Sequence, residues 1–550
     1  MDAQKYPKSR TLQRKNRKWP SQVIQTPPIW CSVDLRDGNQ SLETPMTLEQ
    51  KLAFFDMLVK IGFREIEVSF PAASDTEFNF TRTLIEQNLI PDDVTIQVLT
   101  QSRPQIIEKT FAAIKGAKRA VVHLYNSTST LQRNAVFKMS KEEIKALAVS
   151  GAEHVLELAR RDDSGTEYIF EYSPESFSGT EEDYAVEVCN AVLDVWKPDA
   201  NCKAIINLPN TVEGTTANVY ADQVEYVCEH IKYRDDVIIS LHTHNDRGCA
   251  VAASELGLLA GADRVEGTLF GNGERTGNAD LVTLALNMLT NGIDPQLSFG
   301  NIDEIAKLYE YATRIDLSKR HPYVGELVYT AFSGSHQDAI RKGMAEMKNH
   351  PELWEVPYLP IDPEDVGRSY EAIIRINSQS GKGGVAFILE RNYGIYLPKA
   401  MQQDFGNLAT AVSDQKQDEL TPEEIFALFQ KEYVNIESPY ALHRLVESSS
   451  DETLKIKAIL QSNEQIEIQS SGNGVLSAFC SALEKYFNVK LSIVNYVQQS
   501  TDYGSESKAI SYIHIKDEKG VQFFGAGISS NITKSSARAL MSCLNKKVSQ

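Results

Sequence analysis

Between residues 29 and 290 the sequence repeats one unit eight times: a short apolar run, a turn, then a segment with helical spacing. The apolar runs are IWCSVDL, FREIEVSF, VTIQVLT, RAVVHLY, YIFEYS, KAIINL, VIISLHTH and RVEGTLF. In the first helical segment Leu48, Leu52, Phe55 and Val59 recur every three or four residues and share one face. Thr47 is placed to cap that helix and Gly62 to end it. Strands alternating with helices pair in parallel through right-handed crossovers. Eight such units in ~260 residues match a closed (β/α)8 TIM barrel. The competing architecture is an open doubly wound sheet. No GxGxxG follows the first strand, and the count of eight favours closure. The expected fold class is therefore α/β, with further units after the barrel.

From about residue 300 the repeat stops. A helical segment runs from Ile302 to Ile315 and leads to Phe332-Ser333-Gly334-Ser335-His336. Residues 367–397 form a mixed segment containing Ser380-Gly381-Lys382-Gly383-Gly384, and the polar stretch 406–420 is expected to be a linker. Thr421-Pro422-Glu423-Glu424 reads as a helix start. Near the C-terminus LKIKAIL and EQIEIQ precede Gly472-Asn473-Gly474 and a helix from Val475 to Phe487. Then LSIVNYV, AISYIHI and VQFFGAG precede a helix from Ser535 to Leu544, a weak internal repeat of α+β type. The expected boundaries are an arm (1–28), the barrel (29–300), linker subdomains (301–435) and a C-terminal domain (436–550).

Composition narrows the function classes. The 550 residues exceed a single core, with 42% hydrophobic and 24% charged residues. No apolar run reaches the ~20 residues that span a bilayer, and no signal-peptide pattern opens the chain. A formal net charge of -18 argues against a general nucleic-acid binder, whose affinity rests on neutralising phosphates. Seven cysteines without a CxxC pair argue against a disulfide framework or a zinc–thiolate site and fit a reducing cytoplasm. Residues 1–20 hold seven Lys or Arg against one acid, Asp2. With few serines and no amphipathic pattern, they read as a basic arm rather than a transit peptide.

Chemistry in a barrel sits at the C-terminal strand ends. His242 and His244 lie two apart on one strand, so both rings reach the same face. Such a pair alone is as often polar surface as half a metal site. Asp37 at the end of strand one and Asn278 after strand eight complete a set of N and O donors suited to Mg²⁺, Mn²⁺ or Zn²⁺. Arg36 can hold a carboxylate or a developing enolate oxygen, or simply pair with Asp37 or Glu67. Glu175 ends strand five and could transfer protons if burial raises its pKa. Thr211 could bond a substrate carboxylate or serve as a turn residue after Pro209. Gly271-Asn272-Gly273-Glu274-Arg275-Thr276-Gly277-Asn278 lacks the P-loop pattern and reads as a loop that supplies Asn278. Lys382 could meet an anionic cofactor, although a glycine turn accounts equally for its segment. His336 lies outside the barrel, and a lone histidine is usually structural.

Taken together, VDLRDGNQSL (33–42), LHTHNDRG (241–248) and FGNGERTGNADL (270–281) resemble the 2-isopropylmalate synthase family. The wider group comprises Claisen-condensing barrels, with homocitrate and citramalate synthases among them. EYSPESFSGTE (171–181), NLPNTVEG (207–214), SGSHQDAI (333–340) and NSQSGKGG (377–384) are similar to the longer of its two branches, so the resemblance spans nearly the whole chain. It implies condensation of acetyl-CoA with 2-oxoisovalerate to 2-isopropylmalate and CoA, the first committed step of leucine biosynthesis. It implies a divalent metal at Asp37, His242 and His244 with Asn278 nearby, and charge stabilisation by Arg36. Glu175 and His336 are implied in proton transfer, with Tyr370 a further candidate, and Thr211 in substrate binding. A homodimer is implied, in which the His336 segment serves the partner subunit's site. The C-terminal domain is implied to bind leucine as a feedback inhibitor near two expected turns, Gly472 to Gly474 and Gly525 to Gly527, although Ser529-Ser530-Asn531 departs from some relatives. Siblings that take pyruvate or 2-oxoglutarate are the alternative enzymes, and Asn39-Gln40 favours the leucine branch. A leucine-binding regulator with an inactive barrel would need a broken metal set, which this sequence does not have.

Overall fold

The computed structural model describes residues 12, 14, 16–331, 333–349, 352–368, 382–450, 453–500 and 508–549. They fall into two compact units: Met1–Val328 with Pro363–Arg368, and Tyr329–Asp362 with Ser369–Gln550.

The first unit is the expected barrel. Its strands are β1 (Ile29–Ser32), β2 (Glu65–Ser69), β3 (Thr95–Gln101), β4 (Arg119–Ser127), β5 (Glu167–Glu175), β6 (Ala204–Asn210), β7 (Val237–Thr243) and β8 (Arg264–Gly267). They pair in chain order and close into a parallel barrel, β1 against β8 from Ile29↔Arg264 to Ser32↔Gly267. Every residue of β6 is buried, as expected where helices cover the outer face and side chains fill the inner one. The first helix, Leu48–Ile61, begins with a reciprocal Thr47–Gln50 capping box and ends at Gly62, whose φ of 118° is left-handed.

Not all of the interior is apolar. Glu67, Gln97, Glu171, Arg264 and Glu266 point inward and are fully buried. The apolar runs hid this polar layer, because the four strands that supply it, β2, β3, β5 and β8, contribute only one or two members each.

The basic arm docks on the outer helix Ala217–His230. Arg17 donates from Nε and Nη2 to both oxygens of Asp222 (2.6 and 2.7 Å), and the Trp19 indole donates to Asp222 at 2.9 Å. The backbone N–H groups of Lys18 and Trp19 donate to Glu225 at 2.8 and 2.9 Å. Of the basic residues of the arm, the described Arg14, Arg17 and Lys18 thus face an acidic stripe of the same chain.

The second unit begins with helices Gly334–Met347, Lys382–Tyr393, Lys399–Lys416 and Pro422–Tyr433. Residues 406–416, expected as linker, are the second half of the third of these. Met401, Phe405, Ala409 and Ser413 bury one residue per turn, a stripe too narrow to stand out among polar neighbours. Thr421 and Glu424 form the capping box that their order suggests.

The C-terminal part holds two three-strand-plus-helix repeats. The first is β9 (Ala441–Ser450), β10 (Thr453–Gln461), β11 (Gln465–Gly472) and helix Val475–Phe487. The second is β12 (Ser492–Ser500), β13 (Ala509–Lys516), β14 (Gln522–Ser529) and helix Ile532–Val548. The sheets have orders β11-β10-β9 and β12-β13-β14, and Leu460, Phe479, Leu483, Ile513 and Leu540 share one core. The strand β9 was not expected. Most of its described residues are exposed, so its alternation is weak.

Gly525 and Gly527 do not form a turn, as the sequence suggested; both lie inside β14. A Cβ on Gly527 would sit 2.0 Å from Ser535 O, and one on Gly525 2.4 Å from Ala539 O. They let the last helix rest directly on the sheet. Gly527→Ala is therefore expected to destabilise the chain by about 1–3 kcal/mol through overpacking. Gly474→Ala is expected to be nearly neutral, since nothing lies within 4 Å of its would-be Cβ. Denaturant unfolding followed by circular dichroism checks the pair, and equal midpoints would contradict the packing argument. No described helix is long and apolar enough to cross a membrane.

Candidate active site

Strand β1 runs into a tight turn, Asp34–Gly38, in which the amides of Arg36, Asp37 and Gly38 all donate to Val33 O. That turn brings Arg36 and Asp37 into the barrel mouth, 8% and 6% exposed. His242 is on β7, and His244 follows the end of that strand, bridged to Asn278. Asp37 Oδ2 lies 3.4 Å from His242 Nε2 and 3.7 Å from His244 Nε2, and Asn278 Nδ2 donates to it at 2.8 Å. Donor atoms of Asp37, His242 and His244 lie within 4.8 Å of one another, and all three residues are buried.

The residues present fit a divalent cation. Two imidazole nitrogens and a carboxylate oxygen converge, and Asn278 Oδ1 is buried without a hydrogen-bond partner among the described residues, an amide oxygen left over for a ligand. The electrostatics agree. Burial pushes the Asp37 carboxyl up, but Arg36 and the two histidines bring it well below the usual carboxylate range. Burial lowers His242, while bonds to Asp37 and Glu266 outweigh it and raise the ring to about 9. Loading a metal on His242 must therefore displace a proton.

The loop after β8 explains its own glycines. A Cβ on Gly277 (φ +94°) would meet Gly271 O at 1.8 Å, and one on Gly273 would meet the Asn278 side chain at 2.9 Å. The run folds back on itself to deliver Asn278. Arg275 ties it down, donating to Asp246 at 2.7 Å and to Thr211 O at 2.6 Å.

Arg36 donates from Nη1 to Asp37 at 2.6 Å and from Nε to Glu67. Burial alone would lower its pKa, yet the Glu67 and Asp37 charges raise it above the ordinary guanidinium value. The ion pairs and the position facing the cavity coexist in one side chain. A cavity of about 260 Å³ opens above the triad and is lined by Arg36, Asp37, Glu175, Thr211 and both histidines. Glu175 accepts from Ser127 Oγ, and Thr211 Oγ1 accepts from Ser176 N at 2.9 Å, which leaves the Thr211 hydroxyl proton free to donate. Leu99, Tyr125 and Pro209 form the apolar part of the wall, with His123, Ser173 and Asn207 beside them.

The remaining candidates lie elsewhere. His336 is on helix Gly334–Met347 of the second unit, its ring stacked on Tyr358 at 4.0 Å. Tyr370 lies outside the described residues, as do Ser380 and Gly381; a helix begins at Lys382. Gly472 ends β11 and Gly474 precedes the following helix. Sequence reasoning missed His123, Ser173, Asn207 and Glu266. Their one signal was a polar residue inside an otherwise apolar strand run.

Residues 27–308 match the HMGL-like family, residues 326–390 the alpha-isopropylmalate synthase post-catalytic domain-like family, and residues 419–548 the LeuA allosteric (dimerisation) domain. The chain is 58% identical to a 2-isopropylmalate synthase of Acetoanaerobium sticklandii, covering 100% of this chain and 97% of that one. It is 53% identical to a 2-isopropylmalate synthase of Clostridium acetobutylicum, covering 98% of each. Among solved structures, an HMG-CoA lyase of Brucella melitensis covers 53% of this chain and 100% of its own, at 16% identity and a TM-score of 0.43.

Proposed function

The chain belongs to the 2-isopropylmalate synthase family, and we propose that its barrel mouth condenses acetyl-CoA with 2-oxoisovalerate to give 2-isopropylmalate and CoA. The observation that carries this reading is the buried Asp37–His242–His244 cluster in a cavity lined in part by Leu99, Tyr125 and Pro209. A divalent cation held by Asp37, His242, His244 and Asn278 supplies Lewis-acid polarisation of the oxo acid's keto group.

This chain's side chains do the rest. The Thr211 hydroxyl donates to the substrate carboxylate. The Arg36 bonds to Asp37 and Glu67 use Nη1 and Nε, which leaves Nη2 to meet the oxygen on which charge develops. A base takes a proton from the thioester methyl, and the resulting carbon attacks the keto carbon. The new alkoxide is protonated, and water cleaves the thioester to release the CoA thiol. Glu175 on the cavity wall and His336 are assigned to proton transfer, with Tyr370 a further candidate. Leu99, Tyr125 and Pro209 suit an isopropyl group, whereas a second carboxylate would call for a cation there.

The same reading covers the rest of the chain. The arm (1–28), barrel (29–300), linker subdomains (301–435) and C-terminal domain (436–550) act as a cytoplasmic homodimer, with His336 serving the partner's barrel. Leucine inhibits through the C-terminal domain. A cavity of about 270 Å³ there, lined by Gly474, Leu476, Phe479, Tyr496, Ile532 and Ser536, combines apolar walls with hydroxyls that suit an amino acid. Gly472, Gly525 and Gly527 would set the helix-to-sheet spacing around it.

The test is free thiol released from acetyl-CoA with 2-oxoisovalerate, pyruvate or 2-oxoglutarate, using metal-stripped protein resupplied with Mg²⁺, Mn²⁺ or Zn²⁺. 2-Oxoisovalerate is expected to show the highest kcat/KM. Preference for another acid would reassign the substrate, and no release with any metal would end the catalytic reading.

A further inference from the structure

The metal reading leaves one question about the ligands themselves: what makes His242 present the correct nitrogen. His242 Nδ1 lies 2.8 Å from Glu266 Oε2, its register neighbour on β8. His244 Nδ1 faces a backbone carbonyl instead, Asn210 O at 3.4 Å. Glu266 is fully buried; beside it lies the Glu171 carboxyl, which burial and the Glu266 charge push well above the usual range toward its proton-bearing form, and its remaining contacts are donors. Arg264 Nη1 donates to Oε1 at 2.7 Å, Gln97 Nε2 to Oε1 at 3.0 Å, and Asn207 Nδ2 to Oε2 at 3.2 Å. A carboxylate beside a guanidinium and two amide N–H groups has no proton to give. In the neutral ring the Nδ1 must then carry the hydrogen, and the Nε2 lone pair faces Asp37 and the cavity.

The hold extends further. Asn207 Nδ2 also donates to Ser173 Oγ at 3.0 Å, Ser173 Oγ lies 2.7 Å from His123 Nε2, and His123 Nδ1 lies 2.8 Å from Glu67 Oε1. Glu67 in turn accepts from Arg36. One belt of hydrogen bonds therefore runs from the metal ligand, beneath the substrate wall, to the arginine beside Asp37.

Resting on the metal reading above, we infer that Glu266 is a positioning residue that locks His242 in the Nε2-ligating tautomer and anchors the belt that sets Arg36. It touches neither substrate nor metal and acts only through His242 and Asn207. A glutamine in its place cannot satisfy all four donors. Its amide N–H₂ must face either Arg264 and Gln97, which are donors themselves, or His242, where it would enforce the wrong tautomer.

The experiment measures the Mn²⁺ dissociation constant of the full chain at fixed pH by competition with a chromogenic chelator. Glu266→Gln is expected to weaken Mn²⁺ binding by roughly 10- to 100-fold. Glu266→Asp keeps the charge opposite Arg264 but falls short of Nδ1, so it is expected to weaken binding as well; it serves as the reading if the glutamine variant does not fold. Glu171→Gln is the comparison. Glu171 is also fully buried, lies 3.5 Å from the same Arg264 Nη1 and borders Glu266, yet it makes no described bond to His242, and glutamine there keeps a neutral side chain with a proton to donate. Its Mn²⁺ affinity is expected to stay within about twofold of wild type, well short of the loss from a broken ligand support. Wild-type affinity in both Glu266 variants overturns the inference. An equal loss in Glu171→Gln overturns it too, because the effect would then be interior charge rather than the hold on His242. A wild-type chain that binds no Mn²⁺ removes the metal reading itself, a different failure.

Discussion

Replacing His242 with alanine is expected to lower kcat for thiol release by roughly 10³-fold or more, because Lewis-acid stabilisation is worth several kcal/mol and each 1.36 kcal/mol is tenfold. The size follows from the site's construction. Asp37, His242 and His244 converge from two strand ends, and removing one ring leaves Asp37 beside Arg36, which draws the carboxylate away from the metal position. Adding more metal is not expected to restore the rate, since the lost donor is also the one braced by Glu266. Chelation of the wild-type chain is expected to produce the same loss and Mn²⁺ to reverse it. Steady-state thiol release measures both, the variant at saturating Mn²⁺ and the wild type after chelation and again after Mn²⁺ is resupplied. A variant within tenfold of wild type would show that the cluster does not carry the chemistry.

The second large effect is at Arg36. Arg36→Gln is expected to reduce kcat by roughly 10²–10³-fold, the usual consequence of removing a donor aimed at developing charge. KM for the oxo acid should change little if the contact forms only in the transition state. The same substitution leaves Glu67, which is fully buried, without its cation. Loss of one partner from such a pair costs about 3–5 kcal/mol, softened here because Gln97 and His123 still contact Glu67. Arg36→Lys separates the two roles. A lysine restores the charge but cannot fork between Asp37 and Glu67 while also facing the cavity. It is expected to recover stability without recovering rate, and equal recovery of both would show that charge alone matters at this position.

Both predictions concern residues that the sequence itself marks out. Asp37, His242, His244 and Asn278 stand at strand ends because a parallel barrel places all its chemistry there, and the strands announce their number through alternation with helices. The Thr47 and Thr421 caps are equally legible, since capping is decided within four residues. The helix over 399–416 is not, because a single buried residue per turn leaves no stripe that periodicity can detect. The strand β9 escapes for a related reason: a mostly exposed strand has no alternation to read.

The motif spacing alone, then, dictated the barrel, the donor set and the loop that carries Asn278, because each depends on residues close in sequence or on a topology that admits few alternatives. What belonged to the tertiary structure was every relation across the barrel. Glu67, Gln97, His123, Glu171, Arg264 and Glu266 come from different strands or strand positions, and no local pattern says that they meet. Asp222 and Glu225 bond to Arg17 and Lys18, 205 and 207 residues away along the chain. Gly525 and Gly527 looked like a turn until a helix was found resting on them. Hydrogen bonds and close packing are satisfied by whatever the fold brings near, and distance along the chain does not record that.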